Sequence, residues 1–460
     1  MSNATLHELA GQLRSRRIDR RRFMQGATAL GVSGTAISSA LRARGAIAQD
    51  ATTVTFWTTF TDPDLSVIGG MVDTFNEQAE GYQVELVQIP PAQVTDVTQL
   101  MTAVRGGTGP DVYLLDRFIV AQRAADGLLQ DLTEYGADEA VMSAHLPFAR
   151  AEATYNGVPF ALPSNTDARA IYYNRGALAE AGIEPDELDS SNGPLTWSRI
   201  AELANQFNEE GSGGNYSRLG FVPWMNQGWH YTYGFSWGGT FFNADACEVT
   251  PDDPAIVEAF QWVQDYCVDL GAQQVQAFGG PTMLPGFPAQ EHPFVIGTLG
   301  MQVTGDWMIH QLEQYAPDMD YGITFIGVPN EGDESATWAG GWSVVIPEGA
   351  TNPEPAFEFM SWYAGEPGQR IYTEESAHLP TIAALIEEAD LYSENHLFFS
   401  QQLLPIAKNR PPLPVGARYW DELTIAWQSN YLGEAEPAAA LASVKERVQP
   451  DLARFCPIEG

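Results

Sequence analysis

Thr53-Val54-Thr55-Phe56-Trp57, residues 82–89 (Tyr-Gln-Val-Glu-Leu-Val-Gln-Ile) and Asp111-Val112-Tyr113-Leu114-Leu115-Asp116 are three β-rich runs, and what lies between them sets the architecture. The first is β-branched and aromatic, the second alternates, and the third is apolar enough to be buried on both faces. Between the first two, residues 65–78 space Val67, Ile68, Met71, Val72 and Phe75 at helical intervals. Between the second and third, residues 94–104 form another amphipathic run, stopped by Arg105-Gly106-Gly107-Thr108-Gly109-Pro110. Strand, helix, strand, helix, strand is the pattern of an α/β domain with a mostly parallel sheet. In such sheets ligands gather at the carboxyl ends of the strands, which is where Trp57 and Asp116 stand.

Further along the chain, Val158-Pro159-Phe160-Ala161-Leu162-Pro163 leads into Ala170-Ile171-Tyr172-Tyr173. Two prolines among extended apolar residues suit a crossover between lobes better than a central strand. Residues 321–328 and Trp342-Ser343-Val344-Val345-Ile346 are again strand-like. At 460 residues the chain exceeds what one hydrophobic core normally serves, so two domains are expected.

The N-terminus differs from the rest. Residues 1–49 carry eight arginines against Glu8 and Asp19, and include Asp19-Arg20-Arg21-Arg22-Phe23-Met24-Gln25. This resembles a twin-arginine export signal, with a mildly apolar stretch over 23–41 and a small-x-small site at Ala46-Ile47-Ala48. Residues 1–48 are therefore expected to be a signal peptide cleaved after about Ala48. The remainder has 15 basic and 57 acidic residues, a net charge of −42. That charge argues against nucleic acid, whose binders need a basic face. Cys247, Cys267 and Cys456 form an odd set; a bridge between Cys247 and Cys267 and buried free thiols are both open readings.

Four stretches resemble the extracellular solute-binding proteins, family 1, the group of the maltose- and trehalose-binding receptors. They are Gly109-Pro110-Asp111-Val112 with Asp116 and residues 125–132; Tyr155-Asn156-Gly157-Val158-Pro159-Phe160 with Asp167 and Tyr172-Tyr173-Asn174-Arg175, then Gly182-Ile183 and Leu195-Thr196-Trp197; Gly300-Met301 with Gly305-Asp306-Trp307; and Ala339-Gly340-Gly341-Trp342-Ser343 with 356–359 and Gly368-Gln369. The resemblance implies a two-lobed α/β fold of the periplasmic-binding-protein type II, each lobe a mostly parallel sheet flanked by helices, with hinge crossovers. By analogy lobe 1 spans 51–162 plus 335–380, and lobe 2 spans 163–334 plus 381–460.

The resemblance also implies an exported receptor, periplasmic or cell-surface, that captures a neutral sugar or oligosaccharide. It would deliver that ligand to the permease subunits of an ABC importer, as a monomer without a cofactor or metal. The expected site is Trp57, Asp116, Asn165, Asp167, Arg169, Asp306, Trp307, Gly341, Trp342 and Arg418. These residue types suit a sugar. Aromatic faces pack on the C–H patches of a pyranose, while carboxylates, amides and guanidinium groups fix hydroxyls by charge-assisted bonds. Trp224, Trp229, Trp237 and Trp338 are weighed toward the core, as bulky indoles usually are.

The rivals are a receptor for a polyol, glycerol phosphate, polyamine or peptide, and a secreted carbohydrate-active hydrolase. Gly234-Phe235-Ser236-Trp237-Gly238 matches G-x-S-x-G, but a nucleophile elbow needs a strand before the serine and a helix after it, and the downstream residues lack a helical period. The seven histidines show no metal-binding spacing.

Overall fold

The computed structural model describes residues 52–90, 97–283 and 287–458. The expected signal segment, with Arg20 and Arg21, lies outside the described residues. The opening order matches the sequence pattern: β1 (Thr52–Thr58), α1 (Asp64–Gln78), β2 (Tyr82–Gln88), α2 (Thr98–Arg105) and β3 (Val112–Asp116). The start of the helix expected over 94–104 falls outside the described residues. The chain then passes through β4 (Leu162–Pro163) into β5 (Arg169–Asn174), α3 (Trp197–Phe207), β6 (Glu209–Glu210), β7 (Tyr216–Phe221), α4 (His230–Ser236), α5 (Pro254–Asp269), β8 (Leu299–Gly305), α6 (Trp307–Tyr315) and β9 (Tyr321–Thr324). It returns with β10 (Trp342–Val345), α7 (Pro353–Tyr363) and α8 (Glu366–Ser376), and ends in α9 (Gly416–Tyr431) and α10 (Pro437–Leu452).

Two five-stranded sheets result, ordered β2-β1-β3-β10-β4 and β9-β5-β8-β7-β6. In the first, the apolar stripe of α1 and the buried Phe359 and Tyr363 of α7 cover one face, with Phe56 at 5.3 and 5.4 Å from those two rings. The expectation of mostly parallel sheets is corrected. β1 and β3 run parallel, but β10 is antiparallel to both β3 and β4. In the second sheet β5 is antiparallel to β8 and to β9, and only β7 and β8 are parallel. The reason is the crossovers. A strand that re-enters a sheet at the edge where its neighbours end must run against them. Trp342, the first residue of β10, therefore sits opposite Asp116, the last of β3, and Arg169, the first of β5, sits opposite Gly305, the last of β8.

Three crossover segments lie side by side. Thr166 bridges Leu379, its hydroxyl donates to the Gly340 carbonyl at 3.1 Å, and Ser164 N–H donates to the Trp342 carbonyl at 2.9 Å. Cys247 is bonded to Cys456, with Cα atoms 6.1 Å apart, and Cys267 is a buried free thiol on α5. The Cys247–Cys267 alternative is thereby overturned: Cys267 faces the core, while Cys456 follows α10, whose Gln449 donates to the Cys247 carbonyl at 3.0 Å. Among the described residues no helix is long and apolar enough to cross a membrane.

Candidate ligand-binding cleft

The two edges created by the crossovers carry most of the residues expected at the site. On the first sheet, Asp116 ends β3 and is buried. Its Oδ1 accepts from Arg410 Nη2 at 2.8 Å and from the Phe118 N–H at 3.3 Å, so it both pairs an arginine and caps the turn behind it. Burial pushes its carboxyl above the ordinary range while Arg410 pulls it down. Trp342 is half-buried, with Phe60 edge-on at 4.7 Å, and Trp57 is half-buried beside Tyr113 in the β1–β3 register.

On the second sheet, Arg169 pairs with Asp167 and reaches Gln227 Oε1 at 3.2 Å. Its guanidinium lies 3.6 Å from the Trp338 ring centroid and 5.2 Å from that of Trp307. Arg410 lies 4.8 Å from the same Trp338 ring and 3.8 Å from Phe118. Two aspartate–arginine pairs thus share one indole. Asp306 is fully buried and its Oδ2 accepts from the Leu379 N–H at 3.0 Å; burial and the neighbouring Asp167 hold its carboxyl well above the usual range. Trp307, half-buried at the start of α6, stacks on His378 at 6.0 Å and 19°. Burial lowers His378 to about 4, so its imidazole is neutral near pH 7.

Beneath these edges the crossovers are riveted by Arg117. It is fully buried and donates to Glu152 (2.8 Å), the Asn165 carbonyl (2.6 Å) and the Gly340 carbonyl (2.5 Å). Asn165 Oδ1 in turn accepts from the Trp342 N–H at 2.7 Å. Gly341 has φ +127°, and a Cβ there would collide with the Asn165 carbonyl and Arg117. The glycine is required by close backbone approach.

Nine of the ten expected residues therefore belong to the two edges or to the crossovers between them. Arg418 does not join them. It is exposed on α9 and pairs with Asp451. The cation that reaches Asp116 is Arg410, eight residues earlier, which the sequence reading missed. A signal existed: few basic residues follow the leader, and Arg410 precedes Pro411-Pro412 in a stretch with no helical period. Ser236 is the last residue of helix α4 and not a turn from a strand into a helix; its hydroxyl accepts from Trp197 Nε1 at 3.1 Å and donates to the Tyr233 carbonyl. That is a packing role within a buried aromatic cluster, and the geometry of a nucleophile elbow is not met.

A cavity of about 430 Å³ opens against α6. It is lined by Thr61 and Asp62 in the loop after β1, by Met308, Gln311, Leu312 and Tyr315 on α6, and by Thr282, Phe287, Pro288, His292 and Val295 in the stretch before β8. Residues 59–370 match the family model of the bacterial extracellular solute-binding proteins, more than half of the chain. The chain belongs to that family. Its fold is the two-lobed one of the type II periplasmic binding proteins, and family membership makes it an exported solute-binding protein. A binding protein of Brucella abortus is 26% identical over 347 residues, which cover 75% of this chain and 80% of that one. Among solved structures, CpMnBP1 with mannobiose bound superposes with a TM-score of 0.76 at 20% identity, covering 86% of this chain and 99% of the other. The GacH receptor of Streptomyces glaucescens, solved unliganded and with acarbose, gives 0.72 at 24% identity, with 88% and 99% covered.

Proposed function

We propose that this solute-binding protein is the receptor of an ABC importer for a neutral oligosaccharide, held between its two lobes. The observation that carries this reading is the contrast of rings and charges at the cleft. Half-buried indoles, Trp342 beside Phe60 and Trp307 beside Arg169, stand over a floor whose arginines are already paired with Asp116, Asp167 and Glu152. Such a floor offers hydrogen-bond donors and acceptors without spare positive charge. It suits hydroxyls and C–H faces better than a phosphate, which needs uncommitted cations. Mannobiose and acarbose in the structural neighbours support a carbohydrate.

Lobe 1 (51–162 plus 335–380) would contain the first sheet and lobe 2 (163–334 plus 381–460) the second. Sugar touching both lobes would favour the closed form, which then docks on the permease. Trp57, Trp342 and Trp307 are the ring platforms; Asp116, Asn165, Asp167, Arg169 and Asp306 with Gly341 form the polar floor. Export by the twin-arginine route, cleavage after about Ala48, a monomeric state and the absence of enzymatic turnover complete the reading. A thermal-shift panel of neutral sugars, polyols, polyamines and glycerol phosphate tests it: a dose-dependent rise in melting temperature with one sugar set is expected. A response confined to a phosphate or a cation would overturn the sugar assignment.

A further inference from the structure

We infer that Asp64 and His378 are a positioning pair behind the Trp307 platform, and that one proton shared between them couples sugar capture to external pH. The inference rests on the sugar-receptor reading and adds a regulation of the same site. Asp64 opens α1, and His378 lies on the crossover that leaves α8. Their side chains are 13% and 5% exposed, and His378 Nδ1 stands 3.8 Å from Asp64 Oδ1. That oxygen accepts no hydrogen bond among the described residues. Nδ1 is also 3.1 Å from the Ser376 hydroxyl, which donates to the Tyr372 carbonyl. The hydroxyl therefore accepts from the imidazole, and Nδ1 carries the hydrogen. The ring stacks against Trp307 at 6.0 Å and 19°, and against Tyr372 at 4.9 Å and 25°. The next residue, Leu379, donates its N–H to Asp306, the residue before Trp307, at 3.0 Å. The pair thus reaches the platform twice, through a stacked ring and through the backbone.

The surroundings decide the charge of the pair. Asp62 in the loop before α1, and Asp167 and Asp306 at the edge of the second sheet, bring negative charge toward it. Arg169, the cation near the Trp307 ring, is already paired with Asp167. The other titratable neighbours are Tyr363 on α7, Tyr372 on α8, His310 and Tyr315 on α6, and His396 in the helix Glu394–Phe398. Burial and Asp62 raise the Asp64 carboxyl to about 7, and burial lowers the His378 imidazole to about 4. The proton taken up near neutrality belongs to the pair. With it the pair is neutral; without it the pair is an anion among carboxylates. Asp62 and Tyr315 both line the cavity against α6, and Tyr315 feels the charges of Asp62 and Asp64. Closing on a sugar narrows that gap and removes water from the anion, which raises its cost. The bound form holds the proton more tightly, so by linkage the protonated pair holds the sugar more tightly. Affinity is highest on the acid side of about pH 7 and falls as pH rises through it.

The test is calorimetric titration of the mature protein with maltose, maltotriose, mannobiose and mannotriose at about pH 6 and about pH 8.5, taking the sugar that binds most tightly. Binding about threefold to tenfold tighter at the lower value is expected. Titrations near pH 7 in two buffers of different ionisation heat should show uptake of up to one proton per sugar bound. Asp64→Asn, whose amide mimics the protonated acid, should bind equally at both pH values and take up no proton. His378→Gln should weaken binding at both, because Trp307 loses the ring it stacks on. Equal affinity at both pH values in the unaltered protein, or a pH dependence that survives Asp64→Asn, overturns the proton coupling while leaving the sugar receptor standing. Unchanged affinity in His378→Gln overturns the positioning role. Failure of all four sugars removes the parent reading and the pair with it.

Discussion

The crossover floor and the α6 wall are both polar, yet they are built on opposite principles. In the floor, Arg117, Asp116, Asp167, Arg169 and Arg410 are buried and spend their hydrogen bonds on one another and on crossover carbonyls. Along the wall, Gln311 and Tyr315 are half-buried and face a cavity. Buried, paired charge specifies geometry and is costly to disturb. Half-open amides and rings cost little to reorganise. The difference implies that substitutions in the floor register first in stability, and those at the rings first in affinity.

The harshest challenge to this division is Arg117→Met. It leaves Glu152 buried without its cation and should cost about 3–5 kcal/mol of unfolding free energy in urea titration. Adding Glu152→Gln should recover much of that loss. If Arg117→Met alone left stability unchanged, the floor would not be a rigid element.

Next comes the pH profile of the melting temperature. His145, His230 and His378 are held neutral by burial, lowered to about 4, about 3 and about 4. A group whose folded pKa is depressed below its unfolded value of about 6.5 contributes stability above that value and loses it as pH falls through the folded one. The fold should therefore lose stability between about pH 6.5 and 4. Asp64, at the start of α1, acts with the opposite sign. Burial, and Asp62 nearby, raise it from 3.8 to about 7, so its stabilising contribution is complete below pH 3.8 and is lost as pH rises through 7. Asp64→Asn should raise the melting temperature at pH 8 relative to the unaltered protein and change it little at pH 4. An equal shift at both values would exclude titration of Asp64 as the cause.

The smallest stability effect belongs to the platforms. Trp342→Ala should leave the fold intact and weaken sugar binding by more than about 1 kcal/mol, roughly fivefold, in calorimetry. Unchanged affinity would remove Trp342 from the site, and a collapse of stability would move it into the floor.

What was legible in the sequence followed periodicity. Val67, Ile68, Met71, Val72 and Phe75 announce α1, and all five are buried. The apolar run at 112–116 announces a strand that is buried throughout. Strand direction was not legible, because β10 pairs with β3 across more than two hundred residues and nothing in Trp342-Ser343-Val344-Val345 records which way it runs. Nor was the role of Arg410, an isolated arginine whose partner Asp116 lies 294 residues away. With three cysteines spacing could not choose a pair, and the choice was made by where α10 delivers Cys456. The wall of the cavity was hidden for a related reason. Met308, Gln311 and Tyr315 read as an ordinary helix face until the β1 loop is seen to stand opposite them.

The receptor reading stands or falls on reversible capture of a neutral sugar without chemical change. The decisive experiment is calorimetric titration of the mature protein with the sugar that raises its melting temperature, followed by recovery and chromatography of that sugar. One saturable site and an unaltered sugar are predicted. Absence of binding heat at every temperature tried, or recovery of a cleaved product, would refute it.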